Sequence, residues 1–468
     1  MDDDVSVCLA ALARLDGTDL GAADRQRLER AVTEAARGIK RRAKSRRRAE
    51  SNSADRALLA TATRFHTEIP DPAPSEEPAP RAEPAPRADP APRADPAPRA
   101  EPAPREEPAP AGRLRRDRHC YVCKAGYRDV DADYHLMCAG CADHNRAQRH
   151  ARTDLTGRTA VVTGGRVKIG FHTALKLLRD GAAVTVTTRF PRDAARRYAT
   201  LPDFGDWAGR LTVHGLDLLD LPAMMDFVAL CGRRPGGLDI LVNNAAQTLY
   251  RPAAYHRGLR AAEALPLRGA AADLAVGATP AAATAIAVPD ALFPAGLTDE
   301  TGQQLDLRAT NSWVLHDGEV SPHEWLQVHV INAFAPFLLT ARLRPLLAAS
   351  PHAHRHVVQV SAMEGSFSRT GKTTRHPHTN MAKASLNMLV RTVAADYARD
   401  GILMNAVDTG WVTDERPYPG KQAERAAGFR PPLDVIDGAA RVYHPIVAAE
   451  RGEPASGQFF KDYRSVPW

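Results

Sequence analysis

The amino-acid sequence predicts an α/β protein whose main domain is a doubly wound parallel sheet. Two observations predict it. From Arg158 onward, short β-branched segments alternate with amphipathic helical segments, and the first of these strands is followed by a glycine-rich turn. The chain, at 468 residues, is also long enough for one large core. The pattern is typical of the Rossmann-type fold, in which a ligand lies outside the carboxyl ends of the strands.

Composition narrows the class of protein. Six cysteines in 468 residues exclude a secreted scaffold built on disulfides. The acidic start, MDDDVS, lacks the basic and apolar regions of a signal peptide. We find no continuous apolar run of the roughly 18 residues that a membrane helix needs. We therefore predict a cytoplasmic protein that does not contact a membrane.

Residues 1–66 show an apolar spacing that is compatible with helix. Within them, residues 40–48 (KRRAKSRRR) hold seven positive side chains. We interpret this stretch as the solvated face of an arginine-rich helix, and contact with an acidic or protein partner is the alternative. The net charge of the whole chain is only +7, so we do not expect nucleic acid as a partner.

Residues 67–112 repeat the hexapeptide EPAPRA or DPAPRA and hold 15 of the 36 prolines. Proline at every second or fourth step removes backbone donors and favours polyproline II. The composition therefore predicts a disordered or semi-stiff linker that separates the helical segment from the cysteine-containing segment after it.

A four-cysteine pattern predicts a metal-binding module in residues 113–150. Cys120, Cys123, Cys138 and Cys141 follow the spacing C-x2-C-x14-C-x2-C. Each pair can place two thiolates on one tight knuckle, and the two pairs together complete a tetrahedron around Zn²⁺. Four sulfur ligands leave no position for water, so the zinc is predicted to be structural, with a redox pair as the alternative.

The predicted main domain covers residues 151–468. Its first strand (TAVVT) ends at Thr163, the turn runs from Gly164 to Gly170, and an amphipathic helix follows. Glycine permits close approach of the backbone, and the free N–H groups at a helix N-terminus attract an anion. We therefore expect a pyrophosphate to lie over this turn.

From about Leu155 onward, five motifs in order resemble those of the short-chain dehydrogenase/reductase family. The family's T-G-x-x-x-G-x-G matches residues 163–170, with Lys168 in place of the middle glycine. The other four motifs are an aspartate at the adenine, N-N-A-G, a relay asparagine and a shortened P-G-x-x-x-T, and they match Asp217, residues 243–246, Asn332 and residues 409–413.

The resemblance implies an NAD(P)-dependent oxidoreductase that transfers hydride between its cofactor and a carbonyl or alcohol, a small-molecule substrate. The residues that it assigns to the cofactor are Gly164, Arg166, Lys168, Ile169, Gly170, Arg189, Asp217, Leu218, Asn243, Ala245 and Lys383. Because family members often pair, it also implies a homo-oligomer. An inactive NAD(P)-binding sensor or scaffold is the alternative function.

The end of the second predicted strand favours NADP. In NAD-preferring members this strand ends in an acidic residue, whereas here it ends at Thr188 and is followed by Arg189 and Arg192. These cations would attract a 2′-phosphate. We therefore predict NADP as the cofactor and keep NAD as the alternative.

The catalytic positions depart from the family's pattern. The family's Tyr-x-x-x-Lys matches Thr379 and Lys383, so threonine replaces tyrosine, and Ser361 stands one place before the position of the family's serine. With Asn332, these residues form the predicted catalytic set. An aliphatic hydroxyl has a pKa far above the value of about 10 for a phenol, so Thr379 is expected to orient or relay a proton.

Two features offer alternative proton donors. His378 is adjacent to Thr379, and His376 and Glu364 lie in the same loop; histidine is the residue type that most often serves as an acid or base near neutral pH. An insertion at about residues 250–320 brings two tyrosines at its start, Tyr250 and Tyr255. Long insertions at this edge of such a sheet are typical of a lid or an interface.

Overall fold

A computed structural model describes residues 2–13, 21–63, 110–233, 236–281, 289–299 and 302–468. Two helices come first, α1 (Asp2–Ala13) and α2 (Ala22–Thr61). The basic stretch 40–48 lies in the exposed middle of α2, where Arg46 approaches Glu50 to 3.6 Å. The stretch is therefore a solvated helix face in this structure, and a partner for it stays a prediction.

The cysteine-rich module consists of an antiparallel pair, β1 (Gly112–His119) and β2 (Gly126–Val130), and a helix, α3 (Ala139–Arg149). The last turn of α2 packs on it, because Leu59 and Ala62 share one buried apolar cluster with Leu114. Asp55 of α2 also accepts a hydrogen bond from the backbone N–H of Arg115 at 2.7 Å. Helix and module are therefore one packed unit.

The expectation that residues 67–112 separate the helical segment from the module is wrong. Residues 64–109 lie outside the described residues, but the two flanks lie side by side. A Cβ atom on Gly112 would lie 2.9 Å from the side chain of Leu58, and Thr63 forms a β-bridge with Tyr134. The chain thus leaves and re-enters the described structure at nearly the same place.

One nine-stranded sheet is the core of the described remainder, in the order β7-β5-β4-β3-β6-β8-β9-β10-β11. All neighbours are parallel except β10 and β11. The strands are β3 (Thr159–Thr163), β4 (Ala183–Thr188), β5 (Leu211–Gly215), β6 (Ile240–Asn243), β7 (Ala275–Val276), β8 (Arg355–Ser361), β9 (Ile402–Asp408), β10 (Phe459–Lys461) and β11 (Arg464–Val466). The predicted α/β, Rossmann-type fold is confirmed.

Helices cover both faces of this sheet. They are α4 (Lys168–Arg179), α5 (Pro191–Ala199), α6 (Phe204–Trp207), α7 (Leu221–Gly232), α8 (Arg257–Ala264), α9 (Pro322–His329), α10 (Ala335–Ala348), α11 (Pro377–Arg399), α12 (Tyr418–Ala426) and α13 (Val435–Glu450). Neighbouring residues of β3 point to opposite faces, so Val162 and Val161 belong to two separate apolar clusters. This double burial explains why the middle of the strand, Ala160 to Val162, is apolar without alternation.

The insertion at about 250–320 extends the sheet. Its short strand β7 pairs with β5, and the approach is so close that a Cβ atom on Gly215 would lie 1.7 Å from the carbonyl oxygen of Ala278. Helix α8 and several single 3-10 turns form the rest of its described part. The insertion therefore belongs to the body of the domain.

Helices α9 and α10 join through one π-helical turn, Val330–Phe334. The whole stretch, Pro322–Ala348, is long and apolar enough to cross a membrane by length and composition. Half of the most apolar 18-residue window in this stretch is buried inside the domain. A core helix of a domain can meet the same criteria of length and composition. The sequence-based prediction of no membrane contact therefore stays a prediction.

Candidate functional site

A cleft of about 1170 Å³ lies at the carboxyl ends of the parallel strands. Most of the predicted site residues line it, namely Gly164, Arg166, Lys168, Ile169, Gly170, Arg189, Asp217, Leu218, Ala245, Ser361, Thr379 and Lys383. Asn243 and Asn332 do not line it. The described residues thus place the predicted diphosphate turn and the predicted catalytic lysine in one cavity.

Two positions at the junction of β3 and α4, Gly164 and Gly170, have a geometry that only glycine fits. Gly164 has a φ of +72°, in the left-handed region, and a Cβ atom on Gly170 would lie 2.3 Å from both the carbonyl oxygen of Gly164 and the side-chain nitrogen of Asn244. The turn is therefore a bare backbone surface at the N-terminus of α4, which suits a diphosphate.

Lys168, which replaces the family's middle glycine, adopts a φ of +54° at the start of α4. Its ammonium lies 3.7 Å from the carboxylate of Glu415, in the loop after β9. Burial raises the pKa of Glu415, but the charges of Lys168 and Lys421 and a hydrogen bond from Thr413 lower it to about 2. The lysine therefore holds an ionised carboxylate and ties this loop to the turn.

Asn243, which was predicted to contact the cofactor, does not line the cleft. Its side-chain amide is buried and donates to the Thr340 hydroxyl at 3.0 Å and to the Gln359 carbonyl at 3.1 Å. The next residue, Asn244, lines the cleft instead and donates to the carbonyl oxygen of Thr163 at 3.0 Å. The motif is thus present, and its second asparagine faces the cleft.

A cluster of arginines surrounds the end of β4. The guanidinium carbons of Arg166, Arg189 and Arg260 lie 5.5, 5.7 and 5.7 Å from the ring centre of Phe190. Arg166 is paired with Asp193 at 2.8 Å, whereas no carboxylate of the described residues lies within 4 Å of Arg189 or Arg260. This end of the cleft is therefore a positive site.

Burial and charge repulsion act together in the arginine cluster. Burial lowers the pKa of Arg189, Asp217 opposes the shift, and the charges of Arg166 and Arg260 add to it. Burial, followed by the same arginines, lowers the pKa of the adjacent His256 to about 2, so this histidine is neutral. An anion bound here would relieve the repulsion between the guanidinium groups.

The predicted catalytic residues Thr379 and Lys383 lie one turn apart on α11. The Lys383 ammonium donates to the carbonyl oxygen of Val360 at 2.7 Å, and burial lowers its pKa to about 8, against the charge of Glu364. The Thr379 hydroxyl is buried and has no hydrogen-bond partner among the described residues. It is therefore free to bond a bound group.

The other two members of the predicted catalytic set have partners in the protein. The Ser361 hydroxyl donates to the side chain of Asn387 at 2.6 Å. Asn332, in the π-helical turn, accepts from the backbone N–H of Gln247 at 2.6 Å and donates to the carbonyl of the same residue at 3.0 Å. Asn332 therefore anchors the segment after β6, behind the cleft wall.

The alternative donor His378 faces away from the cleft. Its ring nitrogen lies 3.4 Å from the carboxylate of Glu324 on α9, and His378 is not among the residues that line the cleft. Tyr250 and Tyr255 do line it, and both hydroxyls, like that of Thr379, are buried without a hydrogen-bond partner among the described residues. The two tyrosines thus remain closer to the cavity than His378.

Several residues that line the cleft were missed by sequence reasoning, among them Tyr121, Lys124, Arg251 and Arg260. The first two belong to the cysteine-rich module and the last two to the insertion. Nothing in the local sequence indicates these positions, because they reach the cleft only through packing between distant segments.

The four cysteines predicted as metal ligands come together in the module. The sulfur atoms of Cys120, Cys123, Cys138 and Cys141 all lie within 4.8 Å of one another, and those of Cys123 and Cys138 are 3.7 Å apart. Zn–S bonds of about 2.3 Å in a tetrahedron imply a sulfur–sulfur distance of about 3.8 Å. The cluster therefore has the dimensions of a four-thiolate zinc site.

Two family models match the main domain. One, described as short chain dehydrogenase, matches residues 158–258, and the other, described as Enoyl-(Acyl carrier protein) reductase, matches residues 309–427. The gap between the two matches falls within the predicted insertion.

Among curated relatives, an uncharacterized protein of Acanthamoeba polyphaga mimivirus is 33% identical over 342 residues, which is 70% of this chain and 71% of that protein. A probable oxidoreductase of Streptomyces antibioticus is 49% identical over 92 residues, 20% of this chain and 30% of its own. Carbonyl reductase (NADPH) 1 of Sus scrofa is 37% identical over 89 residues, 19% of this chain and 30% of its own. This chain thus spans less than a third of the last two.

Proposed function

Because this chain belongs to the short-chain dehydrogenase/reductase family, whose members are NAD(P)-dependent oxidoreductases, we propose that it transfers hydride between NADP(H) and a carbonyl or alcohol substrate. The observation that carries the proposal is the cleft itself. It joins a glycine turn that excludes any Cβ atom at Gly170 to a buried lysine, Lys383, near an unpartnered hydroxyl. A small molecule is the expected substrate.

Each part of the cleft would hold one part of the dinucleotide. The backbone of residues 164–170 would bind the diphosphate, and the Lys383 ammonium would bind the ribose next to nicotinamide. When bound, the nicotinamide would supply or accept the hydride. Thr379 would orient the substrate oxygen or relay its proton, because its hydroxyl does not ionise at neutral pH.

The arginine cluster supports NADP over NAD. Arg189 and Arg260 carry charge without a carboxylate within 4 Å among the described residues, and a 2′-phosphate would supply the counter-charge. The pig relative named above carries NADPH in its name. NAD would leave the two guanidinium groups without this anion.

The test is transfer of deuterium. Purified protein is incubated with NADPH that carries deuterium at the reactive carbon and with a broad panel of carbonyl compounds. Deuterium in a product supports the oxidoreductase. Tight binding of NADPH without transfer across the panel would instead support an inactive NAD(P)-binding sensor or scaffold, which the replacement of tyrosine by Thr379 favours.

We further propose that the four cysteines bind one structural zinc. The dimensions of the sulfur cluster support it, because four sulfur atoms within 4.8 Å of one another match a tetrahedral four-thiolate site. Metal analysis should find about one zinc per chain, and Cys138→Ser should lose it. Protein without metal after purification at neutral pH would exclude the site. Because thiolates need a reducing compartment, a cytoplasmic location goes with this proposal.

A homo-oligomer is proposed from one apolar groove. Phe334 and Phe337 border it from the α10 side and Met388 from α11, and their side chains are 41%, 50% and 56% exposed. Such a groove between two helices suits the same face of a second copy. Sedimentation velocity should find a dimer or larger species, and Phe337→Glu should convert it to monomer. A monomeric wild-type protein at micromolar concentration would exclude it.

A further inference from the structure

The knuckle that begins at Cys120 forms part of the cleft wall. Tyr121 and Lys124 line the cavity together with the loop after β9. The arginine cluster lies beyond β3, next to β4 and β5, whereas Tyr121 lies on the side of β9 and β10. The module therefore closes the side of the cleft opposite the arginines.

One hydrogen bond joins the knuckle to this loop. The backbone N–H of Trp411 donates to the Tyr121 hydroxyl at 3.0 Å, across 290 residues of sequence. The preceding Gly410 has a φ of +76°, and a Cβ atom on it would lie 2.5 Å from Leu433 and 3.4 Å from the Tyr121 oxygen. The loop thus needs glycine here to pass beneath the module.

The module is fixed to the main domain next to this contact. The Tyr134 hydroxyl and the Asn145 amide donate to the buried carboxylate of Asp437 at 2.8 and 3.2 Å. Arg149 forms ion pairs with Asp434 at 2.6 Å and with Asp437 at 2.8 Å. These contacts hold the module on the N-terminus of α13, so the position of Tyr121 depends on the folded state of the module.

Apolar contacts connect the same module to the diphosphate turn. Cys120, Val412 and Leu433 belong to one buried cluster, and Ile169, in the first turn of α4, packs against it. The module therefore contacts both segments between which a dinucleotide would lie, residues 164–170 and the loop after β9.

We propose that the four-cysteine module, folded around its metal, holds residues 408–416 in the position that completes the cleft, with Tyr121 as the positioning residue. The identity of the cofactor in this inference rests on the proposed function. Metal occupancy and dinucleotide affinity are then coupled, and the coupling is reciprocal: bound NADPH raises the affinity of the module for its metal by the same factor.

The first experiment compares two tyrosine variants of the full chain. Tyr121→Phe removes the oxygen that accepts from Trp411. The matched control, Tyr127→Phe, removes a buried hydroxyl of the same module that donates to the backbone of His135 at 2.7 Å and does not line the cleft. Each variant is assayed for zinc content, for deuterium uptake by the backbone around Trp411, and for NADPH affinity.

Tyr121→Phe is expected to keep its zinc, to exchange faster around Trp411, and to bind NADPH about three- to tenfold more weakly, the effect of one hydrogen bond. Tyr127→Phe should leave exchange around Trp411 and NADPH affinity unchanged. Unchanged exchange in Tyr121→Phe, or equal changes in both variants, would overturn the positioning role.

The second experiment removes the metal from the wild-type chain with a zinc chelator. Exchange in residues 408–416 should rise and NADPH affinity should fall in step with zinc release, and saturating NADPH should raise the chelator concentration at which half of the zinc is released at equilibrium. Full NADPH affinity after complete zinc removal would overturn the coupling. If the wild-type chain binds neither NADPH nor NADH, the proposed function fails. The hydrogen-exchange measurements on residues 408–416 still decide whether the module holds the loop.

Discussion

The two sides of the cleft are built in different ways. On the side of β3, the part of the wall that would face the diphosphate is backbone, and its shape follows from glycine at residues 164 and 170. On the side of β8 to β10, the wall consists of side chains that come from α11, from the loop after β9 and from the cysteine-rich module. The first side depends on local sequence, and the second depends on packing between segments that are far apart in the chain.

The difference between the two sides explains which parts of the family's pattern are kept in this chain and which are replaced. A Cβ atom on Gly170 would collide with the main chain, so this position admits little variation, whereas the middle glycine of the motif is replaced by Lys168. A proton donor has no such constraint, because several segments can bring a hydroxyl to the same point. Replacement of tyrosine by Thr379 is therefore compatible with an intact diphosphate site.

The largest expected effect tests the backbone side. Gly170→Ala would place a Cβ atom 2.3 Å from the carbonyl oxygen of Gly164, so the turn must move. We expect NADPH affinity to fall on the order of 100-fold, measured by calorimetry. Gly205→Ala is the control, because nothing lies within 4 Å of its added Cβ atom. Equal affinity in both variants would mean that this turn is not the diphosphate site.

A second prediction concerns the charge of Lys383. Burial lowers the pKa of this lysine from 10.5 to about 8 in the unbound protein, so NADPH affinity should fall as the pH rises through about 8. Lys383→Ala should bind about tenfold more weakly at pH 7, and Lys383→Arg should remove the decline above pH 8. Isothermal titration from pH 6.5 to 9.5 measures both.

Unfolding does not explain such a decline. Because the pKa of Lys383 is lower in the folded than in the unfolded chain, this group makes the free energy of unfolding rise between about pH 8 and 10.5. An affinity that stays flat across pH 8 in the wild-type chain would show that Lys383 does not bind the cofactor as a cation.

A third, smaller effect tests the contribution of the insertion. Arg260→Ala removes one guanidinium from the cluster around Phe190, so the preference for NADPH over NADH should fall about fivefold. The control is Arg268→Ala, an exposed arginine of the same insertion. The ratio of the two dissociation constants is the measurement, and an unchanged ratio in Arg260→Ala would assign the 2′-phosphate to other residues.

The smallest expected effect on the cofactor distinguishes the two adjacent asparagines. Asn243→Ala removes buried hydrogen bonds to Thr340 and Gln359, which should lower the free energy of unfolding by about 1–3 kcal/mol and leave NADPH affinity unchanged. Asn244→Ala should instead weaken NADPH binding a few-fold. Chemical denaturation and calorimetry measure the two quantities, and a loss of affinity in Asn243→Ala would restore its predicted role.

The sequence was sufficient for the parts whose physics is local. The predicted strand 159–163 is β3 as observed, because four of its five residues are β-branched and both of its faces are buried. The four cysteines meet because two short knuckles need only one return of the chain. The glycine turn could be assigned because a backbone that approaches another group closely needs glycine, and glycine is read directly from the sequence.

The remaining parts depended on contacts that no local pattern records. Asn243 and Asn244 share one motif, and only the direction of β6 decides which of them faces the cleft. Arg260 enters the cluster through the packing of α8 on α5, and Tyr121 meets Trp411 across 290 residues. Such pairs become visible only when the sheet and the module are assembled.

The neighbouring positions of Leu58 and Gly112 have a consequence for how the chain can change in length. Segments whose two ends are already held together form a closed loop, and doubling such a loop costs only about 0.6 kcal/mol in closure entropy. Copies of the hexapeptide can therefore be gained or lost between α2 and β1 without displacing either element. We expect chains with half or twice the number of copies to melt within a few degrees of one another.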